Sequence, residues 1–446
     1  MSPGPGAGSA PPAPLTTDKI STFSSFRVRN YRIHFLGSAV SNIGTWMQRI
    51  AQDWLVHELT DSAAAVGITM ALQFLPFLLF GLYGGVLADR VDKRRLLIGT
   101  QTALGITGVL LAVLTLSGVV EVWHVYALSF AVGLATVVDN PARQTFVSDM
   151  VGPGLLRNAV SLNSANFQSA RLVGPAVAGV VITSVGAGWA FLYNGLSFIA
   201  PIVGLCLMRT SELTPAERVP RSKGQLREGL RYVGGRPDLL WMIVLVGFIG
   251  TFGFNAAIWL VAFTDRVFDS GAGTYGLLNS VMAAGSVAGA LLAARRGSRR
   301  MRFTVAAGAA FGLALMVAAL SPVFWLFAVL MFPVGLTALM FQVTANSSIQ
   351  VASDPAMRGR VISLFMMVFV GGTPIGGPLM GWLTDEFGAR IGMIAGGAIC
   401  LGGAVGVALV LARIGGLRLQ ITLRDGRRRV ALVPREVPAI PGARPA

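Results

Sequence analysis

The sequence contains few charged residues, few histidines and few cysteines. Charged residues make up 13% of its 446 residues, whereas a soluble domain carries about 25%. Because 54% of the residues are hydrophobic and the mean hydropathy is +0.67, the composition indicates an integral membrane protein. The three histidines and two cysteines show no ligand or disulfide spacing, so the sequence predicts no metal site and no disulfide. These residues are His34, His57, His124, Cys206 and Cys400.

The motifs of an ATP-driven pump and of an enzyme are also missing. Without a Gly-x4-Gly-Lys-Ser/Thr loop, any process that needs energy would have to draw on an ion gradient or an unseen partner, and we expect no cofactor. The absence of a nucleophile–base constellation argues against an enzyme. Residues 1–22 lack the basic start and apolar middle of a signal peptide. Their Pro, Gly, Ala and Ser content predicts a disordered cytoplasmic tail.

Long apolar runs are what the sequence does contain. A bilayer core needs about 20 apolar residues per helix, which predicts an all-α protein with twelve transmembrane helices in two six-helix bundles. The bundles cover residues 23–208 and 239–413. Between them lies a cytoplasmic linker, 209–238, with a short amphipathic helix near 226–233 or no regular structure, and a basic cytoplasmic tail, 414–446, follows. The predicted spans are 34–56, 65–87, 96–117, 122–141, 159–183, 189–208, 239–263, 274–294, 303–320, 322–345, 360–383 and 391–413.

The net charge of +16 follows from topology and requires no nucleic acid. Of the 36 Lys and Arg residues, 32 fall on the side of the loop between helices 2 and 3. Only Arg266 and Arg390 fall in the opposite loops. Cytoplasmic loops are enriched in Lys and Arg, so both termini are expected in the cytoplasm and the lipid bilayer of a plasma (inner) membrane is the expected environment. The sequence indicates no obligate protein partner.

The loop between helices 2 and 3 carries a recognisable signature. It resembles the Gly-x3-Asp-Arg-x-Gly-x-Arg-Arg loop of the major facilitator superfamily, although Asp92 stands where that family usually has glycine. The resemblance implies a gate in which the acid bonds a nearby arginine and faces the N-terminal end of helix 11. The matching residues are Gly85, Asp89, Arg90, Arg94 and Arg95.

Internal repetition supports the same superfamily. Asn140-x3-Gln144 at the end of helix 4 recurs as Asn346-x3-Gln350 at the end of helix 10. Two related halves imply a substrate site between them that rocking exposes first to one side and then to the other. The segment Asp139–Phe146, interpreted as the connection after helix 4, looks like the enterobactin-exporter branch, which is bacterial and includes antibiotic efflux proteins.

Helix 5 contains a second signature, Gly174-Pro175-Ala-Val-Ala178-Gly179. It resembles the Gly-Pro-x-x-Gly-Gly antiporter motif, with Ala178 in place of one glycine. The resemblance implies an exporter that exchanges its substrate for protons. A kinked packing helix, which any transporter could use, is the alternative interpretation.

Polar residues at steps of three and four mark one face of helix 1 and one face of helix 5. A polar face within the bilayer must contact protein or a water-filled cavity. Arg171 falls at the middle of helix 5 and is either a substrate-binding residue or a structural arginine paired with a carbonyl or an acid. The predicted substrate-binding residues are Asn42, Thr45, Gln48, Arg49, Ser164, Gln168 and Arg171.

Two acids are candidates for proton coupling. Asp53 follows Arg49 by four residues, so the two can pair near the outer mouth, where Asp53 either carries the proton or belongs to an outer ion pair. Asp139 is expected at the cytoplasmic end of helix 4. With no acid expected in the middle third of any span, we predict an anionic or neutral-polar substrate with aromatic parts, such as a siderophore or an antibiotic.

The leading hypothesis is thus a proton-coupled exporter of a small molecule. A carrier for uptake or facilitated diffusion is the second hypothesis, which the helix 5 motif disfavours. The third is a membrane sensor or scaffold without transport, for which the polar faces and the central arginine have no use.

Overall fold

The computed structural model describes residues 21–214, 225–296, 301–355, 357–414, 417–424 and 427–434. Ten helical stretches within these ranges are long and apolar enough to cross a membrane. One of them, Val122–Val185, contains two spans because Gly152 leaves the helical conformation with φ 66° and ψ 175°. Helix 1 is a further span whose polar face lowers its mean hydropathy. The prediction of twelve spans in a membrane-embedded all-helical fold is therefore confirmed.

The spans are numbered helices 1 to 12, and three of them are interrupted. Helix 6 breaks at Phe198, helix 7 breaks at residues 253–255, and helix 11 breaks at Gly372. Helix 7 also ends in a π-turn, Phe263–Val267. The bounds are Arg29–Thr60, Ala63–Arg90, Lys93–Leu116, Val122–Val185 for helices 4 and 5, Ala187–Ser197 with Ile199–Leu207, Pro237–Phe252 with Ala256–Ala262, Ala272–Arg296, Met301–Ala319, Phe324–Ala352, Arg358–Gly371 with Thr373–Phe387, and Ala389–Ile414.

Short elements lie outside the spans. A 3-10 turn, Ser24–Arg27, precedes helix 1, and another, Thr210–Glu212, follows helix 6. The linker forms an α-helix over Gln225–Gly234, whose Glu228 pairs with Arg360 at the start of helix 11. The predicted N-terminal tail lies outside the described residues apart from residues 21 and 22.

The segment after helix 12, which lies in the predicted basic tail, contains two strands. Strands β1, Leu417–Arg424, and β2, Arg427–Pro434, form an antiparallel hairpin. The alternation of apolar and polar residues in Leu-Arg-Leu-Gln-Ile-Thr-Leu-Arg is the period-two signal of a strand. The basic charge of this segment predicted a tail, whereas its period-two alternation indicates the strands.

Helices 1–6 form the first half and helices 7–12 the second half. We call the end that carries the turn at Val91 and Asp92 the basic face, and the end that carries Asp61 and Ser62 the opposite face. The halves meet through helix 2 with helix 11 and helix 5 with helix 8. Among the described residues, every hydrogen bond between the halves lies near the opposite face. The halves are thus joined at the opposite face, and the hydrogen bonds described at the basic face stay within one half.

Glycines allow the close approach of the halves. A Cβ atom on Gly276 of helix 8 would lie 2.9 Å from the Cα atom of Gly179 on helix 5. One on Gly381 of helix 11 would lie 2.6 Å from the carbonyl oxygen of Ala63 on helix 2. Contacts this short leave no room for a side chain. Small residues therefore set both contacts between the halves.

Candidate functional site

A cavity of about 460 Å³ runs through the first half. Helix 1 contributes the longest row of lining residues because its polar side chains recur every three or four residues. The second half contributes one described lining residue, Val370. The other helices of the first half supply aromatic and amide groups, including Gln73, Phe74, Phe77, Asn140, Asn163, Asn166, Phe167 and Asn194.

A second cavity of about 170 Å³ lies between the halves. Its first-half wall is formed by Trp46, Arg49, Asp53, Arg171 and neighbouring residues, and its second-half wall by helices 7 to 10. Trp46 and Arg49 line both cavities, so they stand where the two meet. This junction is the candidate substrate site.

Two arginines make cation–π contacts with one indole ring at the junction. The Cζ atom of Arg49 lies 5.2 Å from the ring centroid of Trp46, and that of Arg171 lies 5.6 Å from it. Arg49 also lies 5.6 Å from the ring centroid of Phe74. A cation over an aromatic face is stabilised without losing its charge. Within the described residues neither guanidinium has an acid at ion-pair distance, which leaves both available to a ligand.

The structure distributes the predicted binding residues unevenly. Asn42, Thr45, Gln48 and Arg49 line the main cavity, and Arg171 lines the second. Gln48 is already bonded, because it accepts a 2.6 Å hydrogen bond from the amide of Asn194 on helix 6.

Ser164 and Gln168 line neither cavity, contrary to the prediction. Helix 5 presents Asn163, Asn166 and Phe167 instead. A shift of one residue turns a side chain by about 100° around a helix, so a small error in the phase of helix 5 exchanges these neighbours.

Among the described residues, no ion pair within 4.0 Å joins Asp53 to Arg49, one turn before it on helix 1. The Asp53 side chain is 4% exposed and accepts a 3.1 Å hydrogen bond from the hydroxyl of Tyr275 on helix 8. The Tyr275 ring also stacks on Trp54 at 6.0 Å. Asp53 is thus buried at the contact between the halves.

Asp139 is buried deeper in its helix than the sequence predicted. Helix 4 continues from Val122 to Gly152, beyond the apolar span that was predicted to end at residue 141, so Asp139 lies within the helix and not at its end. The connection interpreted at Asp139–Phe146 is helical for the same reason. The prediction rested on a span ending at 141, where the hydropathy falls but the helix does not end.

Four hydrogen bonds satisfy the Asp139 carboxylate. Thr100 and Gln101 of helix 3 each donate at 2.7 Å. Arg143, one turn further along helix 4, donates from Nε at 3.1 Å and from Nη2 at 2.5 Å. The charge of Asp139 is therefore matched by Arg143 inside the first half, and the main cavity gains no net negative charge from it.

The signature after helix 2 is held by contacts within the first half. Arg94 donates to the carbonyls of Leu205 at 2.6 Å and Cys206 at 3.1 Å, at the end of helix 6. Asp92 caps helix 3 by accepting from the backbone N–H of Arg95 at 2.8 Å, which explains an acid where glycine is usual. The side chains of Arg90 and Arg95 are exposed, and those of Gly85 and Asp89 lie outside the described residues.

The helix 5 signature packs against both halves. A Cβ atom on Gly174 would lie 3.3 Å from the backbone nitrogen of Met47 on helix 1, beside the Trp46 side chain. Pro175 and Gly179 face Gly276 on helix 8. The motif therefore packs against Trp46 of the junction and forms the contact between helices 5 and 8.

Sequence reasoning missed the aromatic residues of the site. Trp46, Phe74 and Phe77 look like ordinary membrane residues in a hydrophobic chain. A usable signal was Gln73, an isolated amide within the apolar helix 2, and the pair Asn163 and Asn166, three residues apart on helix 5.

One group of side chains has the geometry of a metal site. Single ligand atoms of His57, Asp61 and Asp265 lie within 4.8 Å of one another. Arg266 already bonds Asp61, and His57 lies 3.0 Å from Asp265. The guanidinium therefore supplies the positive charge that a metal ion would bring.

Comparisons with known proteins agree on the class. Residues 20–420 match the family described as transmembrane secretion effector. The staphyloferrin A transporter of Staphylococcus aureus is 25% identical over 79% of this chain and 89% of its own length. Macrolide efflux protein A of Streptococcus pyogenes is 23% identical over 85% and 95%. The multidrug efflux pump Tap of Mycolicibacterium fortuitum is 25% identical over 79% and 88%.

Solved structures show the same fold. A bacterial homologue of the human lysosomal transporter Spinster, inward-facing and unoccupied, superposes with a TM-score of 0.65 at 16% identity, covering 87% of this chain and 96% of that one. A D-xylose–proton symporter superposes with a TM-score of 0.66 at 12% identity, covering 84% and 97%. The chain belongs to the transmembrane secretion effector family of the major facilitator superfamily and is a transporter, not an enzyme.

Proposed function

We propose that this transporter is a proton-coupled exporter of small organic anions that carry an aromatic group, such as an acidic siderophore or antibiotic. It would work by alternating access in the inner membrane of a bacterium, with the basic face and both termini in the cytoplasm. The cavity in the first half would load substrate from the cytoplasm, and separation of the halves at the opposite face would release it.

The observation that carries this proposal is the pair of arginines at the junction. Arg49 and Arg171 have no acid at ion-pair distance within the described residues, and Asp139 is neutralised by Arg143. A charge at membrane depth is costly unless it is paired or hydrated. The first-half wall of the second cavity holds Arg49, Arg171 and the described acid Asp53, so an anionic substrate would balance its remaining positive charge and a cationic one would be repelled.

Aromatic side chains surround the same point. Trp46, Phe74, Phe77 and Phe167 line the main cavity next to Arg49. Rings of this kind stack on flat ligand groups, so the site suits a molecule with an acidic end and an aromatic end. The amides along helices 1, 5 and 6 suit its hydroxyl or carbonyl groups.

The names of the relatives support export over uptake. A macrolide efflux protein and a multidrug efflux pump align over most of this chain.

We assign the coupling proton to Asp53 rather than Asp139. Asp53 is buried beside the junction and bonds Tyr275 across the halves, a contact that requires closure of the opposite face. Its protonation state and the position of the halves are therefore linked. Asp139 bonds helices 3 and 4 within one half and has no such link.

The test uses inside-out membrane vesicles with an imposed proton gradient. Three probes share one aromatic ring and differ in one group: a carboxylate, its neutral amide and the matching amine. Gradient-dependent uptake of the carboxylate is expected, and Arg171→Gln should lower it about tenfold, the effect of losing one charged hydrogen bond. The control Arg157→Gln makes the same change at an exposed position of helix 5 and should transport normally.

The outcomes separate the hypotheses. Uptake that ignores the gradient would support facilitated diffusion, and faster transport of the amine than of the carboxylate would refute the anion site. If Arg157→Gln lost as much activity as Arg171→Gln, the effect would report charge in general and not the junction.

A further inference from the structure

The opposite face is closed by a carboxylate that reaches from one half to the other. Asp385, near the end of helix 11, accepts hydrogen bonds from the backbone N–H groups of Ala63 at 2.8 Å and Ala64 at 2.9 Å. It also accepts from the hydroxyl of Ser62 at 2.7 Å. Ala63 and Ala64 begin helix 2, where N–H groups have no partner within their own helix. A residue of the second half thus caps a helix of the first half.

Arg266 strengthens this contact. Its Nη1 atom lies 2.9 Å from Asp385, and its Nη2 atom donates to the backbone carbonyl of Asp61 at the end of helix 1. Asp265 precedes Arg266 in the chain. It lies 3.0 Å from His57 of helix 1, across the same contact between the halves. We call the set Asp61, Ser62, Arg266 and Asp385 the outer latch.

The sequence around Asp385 repeats the signature after helix 2. Gly381-Trp-Leu-Thr-Asp385-Glu-Phe-Gly388-Ala-Arg390 has the same spacing of glycine, aspartate and arginine as Gly85-Val-Leu-Ala-Asp89-Arg-Val-Asp-Lys-Arg94. In both segments the aspartate lies at the C-terminal end of a membrane helix and the arginine follows the turn. The first segment is on the basic face and the second on the opposite face.

Arg94 and Arg390, the arginines of the two segments, make equivalent contacts. The two segments therefore correspond in structure as well as in sequence. Arg94 donates to carbonyls at the end of helix 6, at 2.6 Å and 3.1 Å. Arg390 donates to the carbonyls of Ala319 at 3.0 Å and Ser321 at 2.7 Å, at the end of helix 9. Each arginine neutralises the negative end of a helix within its own half. Each also anchors the turn that follows its aspartate.

We propose that the Gly381–Arg390 segment is a second gate signature, inverted relative to the first, and that Asp385 locks the opposite face shut. The positive end of helix 2 is available to Asp385 only while the halves touch there. The bond exists in one state of the transporter and is absent in the other, so it biases the equilibrium toward the state seen here. Removing it shifts the population toward opening at the opposite face.

The experiment measures distances rather than transport. In a background with Cys206→Ser and Cys400→Ala, spin labels are placed at exposed positions on the opposite face, Val119 and Val323, or on the basic face, Val91 and Val351. Electron–electron double resonance in lipid nanodiscs then gives the distance distribution of each pair.

Asp385→Asn should change the ratio of the population closed at the opposite face to the population open there about tenfold. A change of this size corresponds to the loss of a charge-assisted hydrogen bond. Distances should lengthen on the opposite face and shorten on the basic face. Glu386→Gln is the matched control, since it makes the same charge change at the next residue, whose side chain is exposed. Its distances should equal those of the unsubstituted protein.

Arg266→Gln keeps the helix cap and removes only the bridge, so it should shift the same populations in the same direction by less. If Asp385→Asn is not monodisperse in size-exclusion chromatography, Arg266→Gln is used to test the proposal instead. Distances in both variants that match those of Glu386→Gln would overturn the latch. Because no substrate is used, that result would leave the proposed export function standing.

Discussion

At the scale of single residues, the placement of the acids distinguishes structural from functional charge. Asp139 is 2% exposed and has hydrogen bonds from three side chains of its own half. A buried carboxylate with this many donors is held in one position. Asp53 is also buried but has one hydrogen bond, from a side chain of the other half. We therefore expect Asp139 to stabilise the first half, whereas the hydrogen bond of Asp53 would break if the halves separated there.

Asp139→Asn should lower the free energy of unfolding by about 2–3 kcal/mol, because Arg143 loses its acid partner beside a buried site. Thermal unfolding of the detergent-solubilised protein measures this loss. The control is Asp92→Asn, which should change stability by less than about 0.5 kcal/mol, since asparagine caps a helix as well as aspartate. Equal stability of the two variants would show that the Asp139 network contributes little.

The sequence predicted the polar face of helix 1 but not what its residues contact. Spacing alone suggested that Arg49 pairs with Asp53, whereas Trp46 and Tyr275 are the partners found. Tyr275 lies far along the chain, and no local pattern indicates that helix 8 will meet helix 1. The binding role of Asn42, Thr45, Gln48, Arg49 and Arg171 stays a prediction.

At the scale of helices, the boundary between helices 4 and 5 depends on one backbone conformation. Gly152 has φ 66° and ψ 175°, a region that essentially only glycine occupies. Within the described part of the chain no atom lies within 4 Å of where its Cβ would be, so space does not require glycine there. The break is a backbone requirement and not a packing requirement.

Gly152→Ala should therefore destabilise the fold by about 1–3 kcal/mol through backbone strain alone. Gly154→Ala is the matched control, because it lies two residues away, also has open space around its Cβ, and has no positive φ. Alanine favours the helix there and should be neutral or stabilising by up to about 1 kcal/mol. Chemical denaturation of both variants gives the comparison, and equal losses would contradict the strain argument.

Hydropathy predicted every span, since a run of apolar residues long enough to cross the bilayer core is the defining feature of a transmembrane helix. It failed where a helix continues beyond the apolar region, as helix 4 does past Asp139. The spacing of polar residues placed Ser164 and Gln168 on the cavity side of helix 5, whereas Asn163, Asn166 and Phe167 line the cavity. The hairpin after helix 12 was missed for lack of a period-two count.

At the scale of the molecule, two features belong to one state. The halves are joined by Asp385 and Arg266 at the opposite face, and the main cavity lies almost entirely in the first half. A transporter that alternates must break the first feature to release what the second has bound. A substrate bound at Arg49 and Arg171, as proposed, would lie beside Asp53, whose hydrogen bond to Tyr275 is part of the same closure. Under the proposed function, binding and gating would therefore involve neighbouring residues.

The proposed direction of transport depends on the basic face being cytoplasmic, which thiol labelling can test. In a background with Cys206→Ser and Cys400→Ala, single cysteines replace Glu212, exposed on the basic face, or Val119, exposed on the opposite face. A membrane-impermeant maleimide should label Val119→Cys but not Glu212→Cys in intact cells, because loops rich in Lys and Arg stay inside. In inside-out vesicles the order should reverse. Labelling of Glu212→Cys in intact cells would invert the topology, and the cavity would then load from outside, as in an uptake carrier.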